Sequence, residues 1–230
     1  MFTLANLDAP PPESLKAQVL QMVVDYLSDI SPVSLTPSNP LYQLYQYVVG
    51  FEVHRYLERM DGAQPGQPKL LLALDDNDPS CVMGFALYLP YVDDPQACTL
   101  LYLAVLASHR RKGIGSALVA DMVARHPHAH VACVASKAPY FEAQGFHAVS
   151  ARGPQVVMCT RREPSQGTLA VQDLEPIFAS TEVRQIHSYL LQQHGRKALS
   201  DAESKRDRLL DQLARQAQAF VEERRAQRLH

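Results

Sequence analysis

The sequence lacks the spacings that mark metal, redox and disulfide-bonded proteins. Its four cysteines, Cys81, Cys98, Cys133 and Cys159, each stand alone inside an apolar run, and no C-x-x-C pair occurs. Buried free thiols in a reducing cytoplasm are the expectation. His126, His128 and His130 alternate without a ligand pattern, so no metal is expected. No apolar run approaches the ~18–20 residues of a membrane span. Residues 1–6 have no basic stretch ahead of an apolar one, so a secretory leader is not expected there. Charge of one sign is also missing: 22 Lys and Arg face 24 Asp and Glu, a net charge of −2. That balance makes no global case for nucleic acid or a membrane as partner. There is no G-x-S-x-G elbow, no catalytic-cysteine motif and no internal repeat.

What is present is an ordinary globular composition, 47% hydrophobic and 20% charged over 230 residues. That suffices for one large domain, or one domain with an appendage. After Pro10-Pro11-Pro12, residues Leu15, Val19, Met22, Val23, Tyr26, Leu27 and Ile30 fall at helical spacing, and Pro32 is expected to stop that helix. A second helix is expected from Asn39-Pro40 to near Asp61-Gly62. Residues 69–74 and 81–89 read as a hairpin around the acidic turn 75–80. Residues 99–107 are apolar nearly throughout, which suits a central strand covered on both faces. A helix over 113–125, a strand over 129–135, a short helix over 138–144 and strand pieces near 146–150 and 155–160 follow.

Beyond a polar linker at 161–167 the pattern is helical only. Val183, Ile186, Tyr189, Leu190 and Leu191 mark one helix, with Gly195 as its C-cap. Ser200 and Glu203 fit a capping box opening another, which runs towards Leu229. Its narrow stripe is Leu209, Leu210, Leu213, Ala217, Phe220 and Val221. Such a stripe suits packing on the core domain or on a second subunit, as a homodimer through the C-terminal helices. The mild basic excess after Arg196 reads as a solvated face. The expected division is a catalytic-type domain over 1–163 and a helical extension over 164–230.

The most informative stretch is Arg110-Arg111-Lys112-Gly113-Ile114-Gly115, between the apolar strand and an amphipathic helix. A helix start leaves backbone N–H groups unpaired and carries partial positive charge. Two glycines and three cations there suit a phosphate or pyrophosphate. A dinucleotide fingerprint would need a third glycine where Leu118 stands, and the P-loop pattern is absent. The remaining pattern, R-x-x-G-x-G, resembles the acyl-CoA-binding motif of the GNAT acyltransferase superfamily. Downstream, Tyr140-Phe141-Glu142-Ala143-Gln144-Gly145-Phe146 resembles that family's short helix ending in Gly-Phe. The two matches together cover roughly residues 70–161.

The resemblance implies an α+β fold: a mixed, mostly antiparallel central sheet flanked by helices, here with a C-terminal helical extension. It implies an N-acetyltransferase moving an acetyl group from acetyl-CoA to a primary amine by direct attack in a ternary complex. The acceptor, a small molecule or a protein or peptide, is left open. It implies that backbone N–H groups of Arg111, Lys112, Gly113, Ile114, Gly115 and Ser116 hold the pyrophosphate, aided by Arg110, Lys112 and Ser116 side chains. The pantetheine arm would run beside Leu103, Val105 and Leu106, with an N–H near Val105 or Leu106 polarising the thioester. The family's acid tyrosine, four residues before the glycine, corresponds to Phe141, which would instead pack on the CoA arm. Tyr140, one residue earlier and turned by ~100°, is the candidate acid. No carboxylate lies on the central strand, so Asp75, Asp76, Asp93, Asp94, Glu52 and His54 are the candidates for a base. The missing tyrosine and carboxylate leave an alternative: a CoA-binding, catalytically weak or silent GNAT-like module that acts through its helical tail.

Overall fold

A computed structural model describes residues 1–31, 33, 35–62 and 64–228, Arg228 by its backbone alone. The expected stop at Pro32 and the end near Leu229 lie outside the described residues. In chain order the elements are β1 (Phe2–Leu7), α1 (Glu13–Asp25), α2 (Leu27–Ile30), α3 (Tyr42–Glu58), β2 (Lys69–Asp75), β3 (Asp78–Pro90) and β4 (Ala97–Val105). Then come α4 (Ile114–Arg125), β5 (His128–Cys133), α5 (Ala138–Glu142), β6 (His147–Arg152), β7 (Gln155–Cys159), α6 (Glu175–Phe178) and α7 (Thr181–Arg228). The strands form one sheet in the order β1-β2-β3-β4-β5-β7-β6. β4 and β5 run parallel and the other neighbours antiparallel.

Period-two alternation divides the core between the two sheet faces. On one face α1 and α3 bury Val19, Val23, Val53 and Leu57 against Leu70, Leu72, Phe85 and Leu87. On the other, α4 and α5 bury Leu118, Met122 and Phe141 against Leu71, Ala73, Ala86 and Leu100. Lys16 of α1, 8% exposed, is held by Glu58 of α3 at 2.5 Å and by Glu13 at 3.4 Å.

One irregularity shapes the molecule's centre. Leu87 pairs with Tyr102, but the next residue, Tyr88, pairs with Leu100, so Leu101 is an extra residue in β4. Such a bulge bends its strand and reverses which face later side chains take. Cys98 and Leu100 therefore share a cluster with Leu103 and Val105, while Tyr102 and Ala104 lie on the α1–α3 side. The pairing of β4 with β5 covers 97–100 and 128–131 and ends at this bulge. Beyond it the two strands part.

Several expectations need correction. β1 was not legible, because Asn6 interrupts the alternation of Phe2 and Leu4 on a strand that pairs on one side only. The acidic turn is tighter than 75–80, since β3 begins at Asp78. α3 begins at Tyr42; Asn39 instead closes the turn before it, accepting from the Leu41 N–H at 2.9 Å. Gly195 leaves the helical conformation (φ 79°, ψ 158°) and ends one helix as expected, but a second begins directly after it, and the two are described together as α7. Ser200 and Glu203 thus lie inside α7, and the capping box does not form.

The apolar stripe of α7 is used on its own chain. Ala217 and Val221 are buried in the α4–α5 cluster, and Leu190, Leu199 and Ala202 pack with Val33, Leu35 and Leu41. Arg224 clamps both carboxylate oxygens of Glu142 in α5, at 2.6 and 3.1 Å. Among the described residues no helix is long and apolar enough to cross a membrane.

Candidate active site

The basic turn between β4 and α4 has an unusual backbone. Arg111 (φ 63°) and Gly113 (φ 81°) both adopt left-handed conformations. Gly113 is the N-cap of α4 and offers no side-chain cap. The first N–H groups of the helix are therefore left for a ligand, in a concave nest that favours anions. The two glycines serve different ends. Space around Gly113 is open, and its φ is what requires glycine. At Gly115 an added Cβ would lie 3.0 Å from the Tyr140 Oη and 3.7 Å from a Val105 methyl.

This turn forms the mouth of a cleft of about 790 Å³, lined by Leu103, Val105, Arg110, Arg111, Gly113 to Ser116, Lys137 and Tyr140 among others. A narrower cavity of about 130 Å³ lies between the parted β4 and β5, with Leu100 to Leu103, Val131 to Val134 and Phe141 in its wall. Asp29, Ile30, Leu103 and Lys137 line both, so the two lie side by side along one groove wall.

The strand's own hydrogen bonds decide which main-chain groups face that groove. Leu106 donates its N–H to the Met83 carbonyl at 2.9 Å. In an antiparallel pair the groups facing one neighbour alternate. Ala104 and Leu106 thus face β3, and Leu103 and Val105 face the splay. Of the two candidates for polarising a carbonyl, Leu106 is spent on Met83 and does not line the groove, whereas Val105 does.

Side chains of the turn diverge. Arg110 bends back: its Nε donates to the Val105 carbonyl at 3.1 Å, its other end to Asp29 at 2.7 Å, and it lies 4.7 Å from the Tyr26 ring centre. Lys112 is not in the main cleft; it faces a neighbouring one with His109, Asp75 and Asp76. The acidic turn therefore lies on the same side as the basic turn. Phe141 is 6% exposed and packs edge-to-face with Tyr140 and Phe146. Tyr140 does enter the main cleft, near Ser116, which also accepts from Gln144 at 3.1 Å. Burial pushes the Tyr140 phenol up, and the Ser116 hydrogen bond partly offsets this.

Among the carboxylate candidates the geometry discriminates. Asp93 and Asp94 hold the linker, accepting from the Thr168 N–H (2.7 Å) and the Ser165 hydroxyl (2.8 Å). His54 stacks on Phe51. Glu52 accepts from Tyr102 of β4 at 2.6 Å. Of the tyrosines on the α1–α3 side, Tyr56 is fully buried core, while Tyr26, Tyr42 and Tyr45 are partly exposed. Sequence reasoning passed over Asp29, Tyr102 and Lys137. None lies in a motif; the fold alone brings them to the groove. Burial lowers the Lys137 ammonium, with Asp29 opposing. Among the described residues no cluster of three His, Cys, Asp or Glu has the arrangement to hold a metal ion.

A model of the acetyltransferase (GNAT) family matches residues 37–148. The chain carries a GNAT acetyltransferase-family domain. The match includes α3, the bulged β4, the basic turn and α5. No curated protein matches the sequence. Among solved structures, the GNAT fold of this chain is similar to a PaiA N-acetyltransferase from Thermoplasma acidophilum in complex with coenzyme A. They share 12% identity over 69% of this chain and 99% of that one, with a TM-score of 0.54. A second is described as histone acetyltransferase HPA2 and related acetyltransferase, from Corynebacterium glutamicum: 15% identity, 72% and 98% coverage, TM-score 0.52.

Proposed function

We propose that this chain transfers an acetyl group from acetyl-CoA to a primary amine by direct attack within a ternary complex. The observation that carries this reading is the anion nest at the mouth of a cleft that adjoins the β4–β5 splay. The residues present fit CoA. The nest at Arg111 to Ser116 suits the pyrophosphate, and the glycine at 115 leaves room beside the Tyr140 hydroxyl that a larger side chain would crowd. Leu103 and Val105 offer main-chain groups to an extended pantetheine arm, as a strand edge does. Phe141 gives that arm an apolar wall.

In this reading the Val105 N–H polarises the thioester carbonyl, so the charge that develops on oxygen meets a fixed donor. The amine nitrogen attacks the carbonyl carbon, and the C–S bond breaks with its electron pair on sulfur. Tyr140 returns a proton to that thiolate. Arg110 exchanges Asp29 for phosphate when the donor binds. The α7 helix belongs to the machinery as a brace for α5 rather than as a free module, since Arg224 clamps Glu142 two residues from Tyr140. The reading also keeps the division into an acyltransferase domain over 1–163 and a helical extension over 164–230. The absence of any paired cysteine spacing in the sequence supports a reducing, cytoplasmic setting.

The test is acetyl-CoA binding by calorimetry, followed by CoA-thiol release with a broad amine panel. Saturable binding with amine-dependent thiol release supports the reading. Binding without turnover across the panel overturns catalysis, and no binding overturns the donor site.

A further inference from the structure

The cleft and the splay hold one amine that the proposed chemistry does not use. Of the six lysines in the chain, Lys137 alone lines these two cavities, and it lines both. Lys16 is held by Glu58 and Glu13, and Lys69 by Asp8 at 2.9 Å. Lys112 faces the neighbouring cleft, and Lys197 and Lys205 lie exposed on α7. Lys137 forms no ion pair within 4 Å among the described residues. It ends the short turn Ala135–Lys137 after β5 and is the N-cap of α5, so its backbone is fixed between two elements that wall the groove.

Its surroundings favour the reactive form. The side chain stays open to solvent, yet the walls around it lower its ammonium; Asp29 and Cys133 oppose this, and Arg110 adds to it. A lysine lowered in this way carries more of the free amine, the form that attacks a thioester. The other nucleophile at the splay is Cys133. It is 7% exposed, and burial pushes its thiol up to about 12, so it stays protonated. In the main cleft with Lys137 stand Val105, whose N–H is the proposed carbonyl donor, and Tyr140, about one helical turn further on.

We propose that Lys137 is a self-acetylation site: the chain transfers an acetyl group from acetyl-CoA bound in its own cleft to the Lys137 Nζ. The inference rests on the donor half of the acyl-transfer reading above and needs no separate acceptor. The neutral Nζ forms a C–N bond to the thioester carbonyl carbon, and the C–S bond breaks with its electron pair on sulfur. The nitrogen gives up one proton and the sulfur takes up one, relayed by Tyr140, which leaves an amide and free CoA. The amide carries no charge, so each chain reacts once and the groove loses a cation beside Asp29.

The experiment incubates the full chain with acetyl-CoA and no added amine, and reads acetylation by intact mass and peptide mapping. One acetyl group should appear, on Lys137, at a rate that saturates with acetyl-CoA and does not change when the chain is diluted. Excess CoA should suppress it. The exposed Lys112, Lys197 and Lys205 are internal comparators, and Lys137 should react at least ~10-fold faster than any of them, because its donor is held beside it. Lys137→Arg should show no saturable, CoA-sensitive acetylation. A chain that binds acetyl-CoA yet leaves Lys137 unmodified, or modifies it no faster than the comparators, overturns the inference, as does a rate that falls on dilution. Acetylation of Lys137 without turnover of any added amine supports the inference while removing the catalytic reading. Absence of acetyl-CoA binding removes the donor-site reading and this one with it.

Discussion

The two ends of the groove are built in opposite ways. The proposed donor end is one contiguous stretch, residues 110–116, which presents main-chain N–H groups at a helix start. The opposite wall is made of side chains from α3 and β4 that meet across 50 residues of sequence, as Glu52 and Tyr102 do. Backbone-made sites leave a glycine pattern in the sequence, because only glycine tolerates the required φ or clearance. Side-chain sites leave no local pattern; they exist only after strands and helices have docked. The difference teaches why the cofactor of a chain can be read before its substrate.

The contrast can be broken at its strongest point. Gly115→Leu would push a side chain into the space of the Tyr140 hydroxyl and Val105. Acetyl-CoA binding should fall at least ~100-fold (about 2.7 kcal/mol) while far-UV circular dichroism stays unchanged. Unaltered affinity by calorimetry would remove the cradle assignment.

Tyr140→Phe probes the point where the two ends meet. Loss of a general acid lowers kcat by roughly 100-fold, with KM for acetyl-CoA kept. Because burial raises the phenol, the basic limb of the unaltered enzyme should lie above the ordinary tyrosine range. A kcat equal to that of the parent would show that solvent protonates the thiolate instead.

Away from the groove, His130 tests whether the linker is held by the same logic of buried side chains. Its Nε2 accepts from the Ser165 N–H at 3.3 Å, and burial, reinforced by His128, lowers its pKa to about 4. The unfolded chain takes up this proton near pH 6.5, before the folded one does. Stability should therefore be full above pH 6.5 and decline between pH 6.5 and 4, by up to roughly 3 kcal/mol. Thermal melts of His130→Gln should lose that part of the pH dependence.

The smallest effect is expected at the brace. Arg224→Ala removes a partly exposed bidentate pair with Glu142 and the packing of the guanidinium on Phe220. A loss of about 1 kcal/mol in a denaturant melt is expected. A lower kcat with unchanged acetyl-CoA affinity would show that α7 also steadies Tyr140.

Much of the fold was legible where one physical signal dominates. The hairpin, the bulk of β4, α4 and the paired strands β6 and β7 follow from apolar runs broken by Gly, Pro and Asp, and their limits shifted by only a few residues. β1 was hidden because Asn6 breaks its alternation. The start of the last helix was hidden because it begins directly after Gly195, ahead of the Ser200 capping signal. The bulge at Leu101 left no trace, since Leu100, Leu101 and Leu103 are interchangeable in a hydropathy pattern.

The sequence by itself determined the anion nest and its helix, because α4 and its glycine turn are local structures whose requirements are met within a few residues. Only the tertiary structure decided that Leu106 is spent on Met83, that Arg110 is held by Asp29, and that Glu52 accepts from Tyr102. Those outcomes depend on register and on which elements share a face. A single extra residue in β4 sets both, by reversing its side chains at the point where it leaves β5.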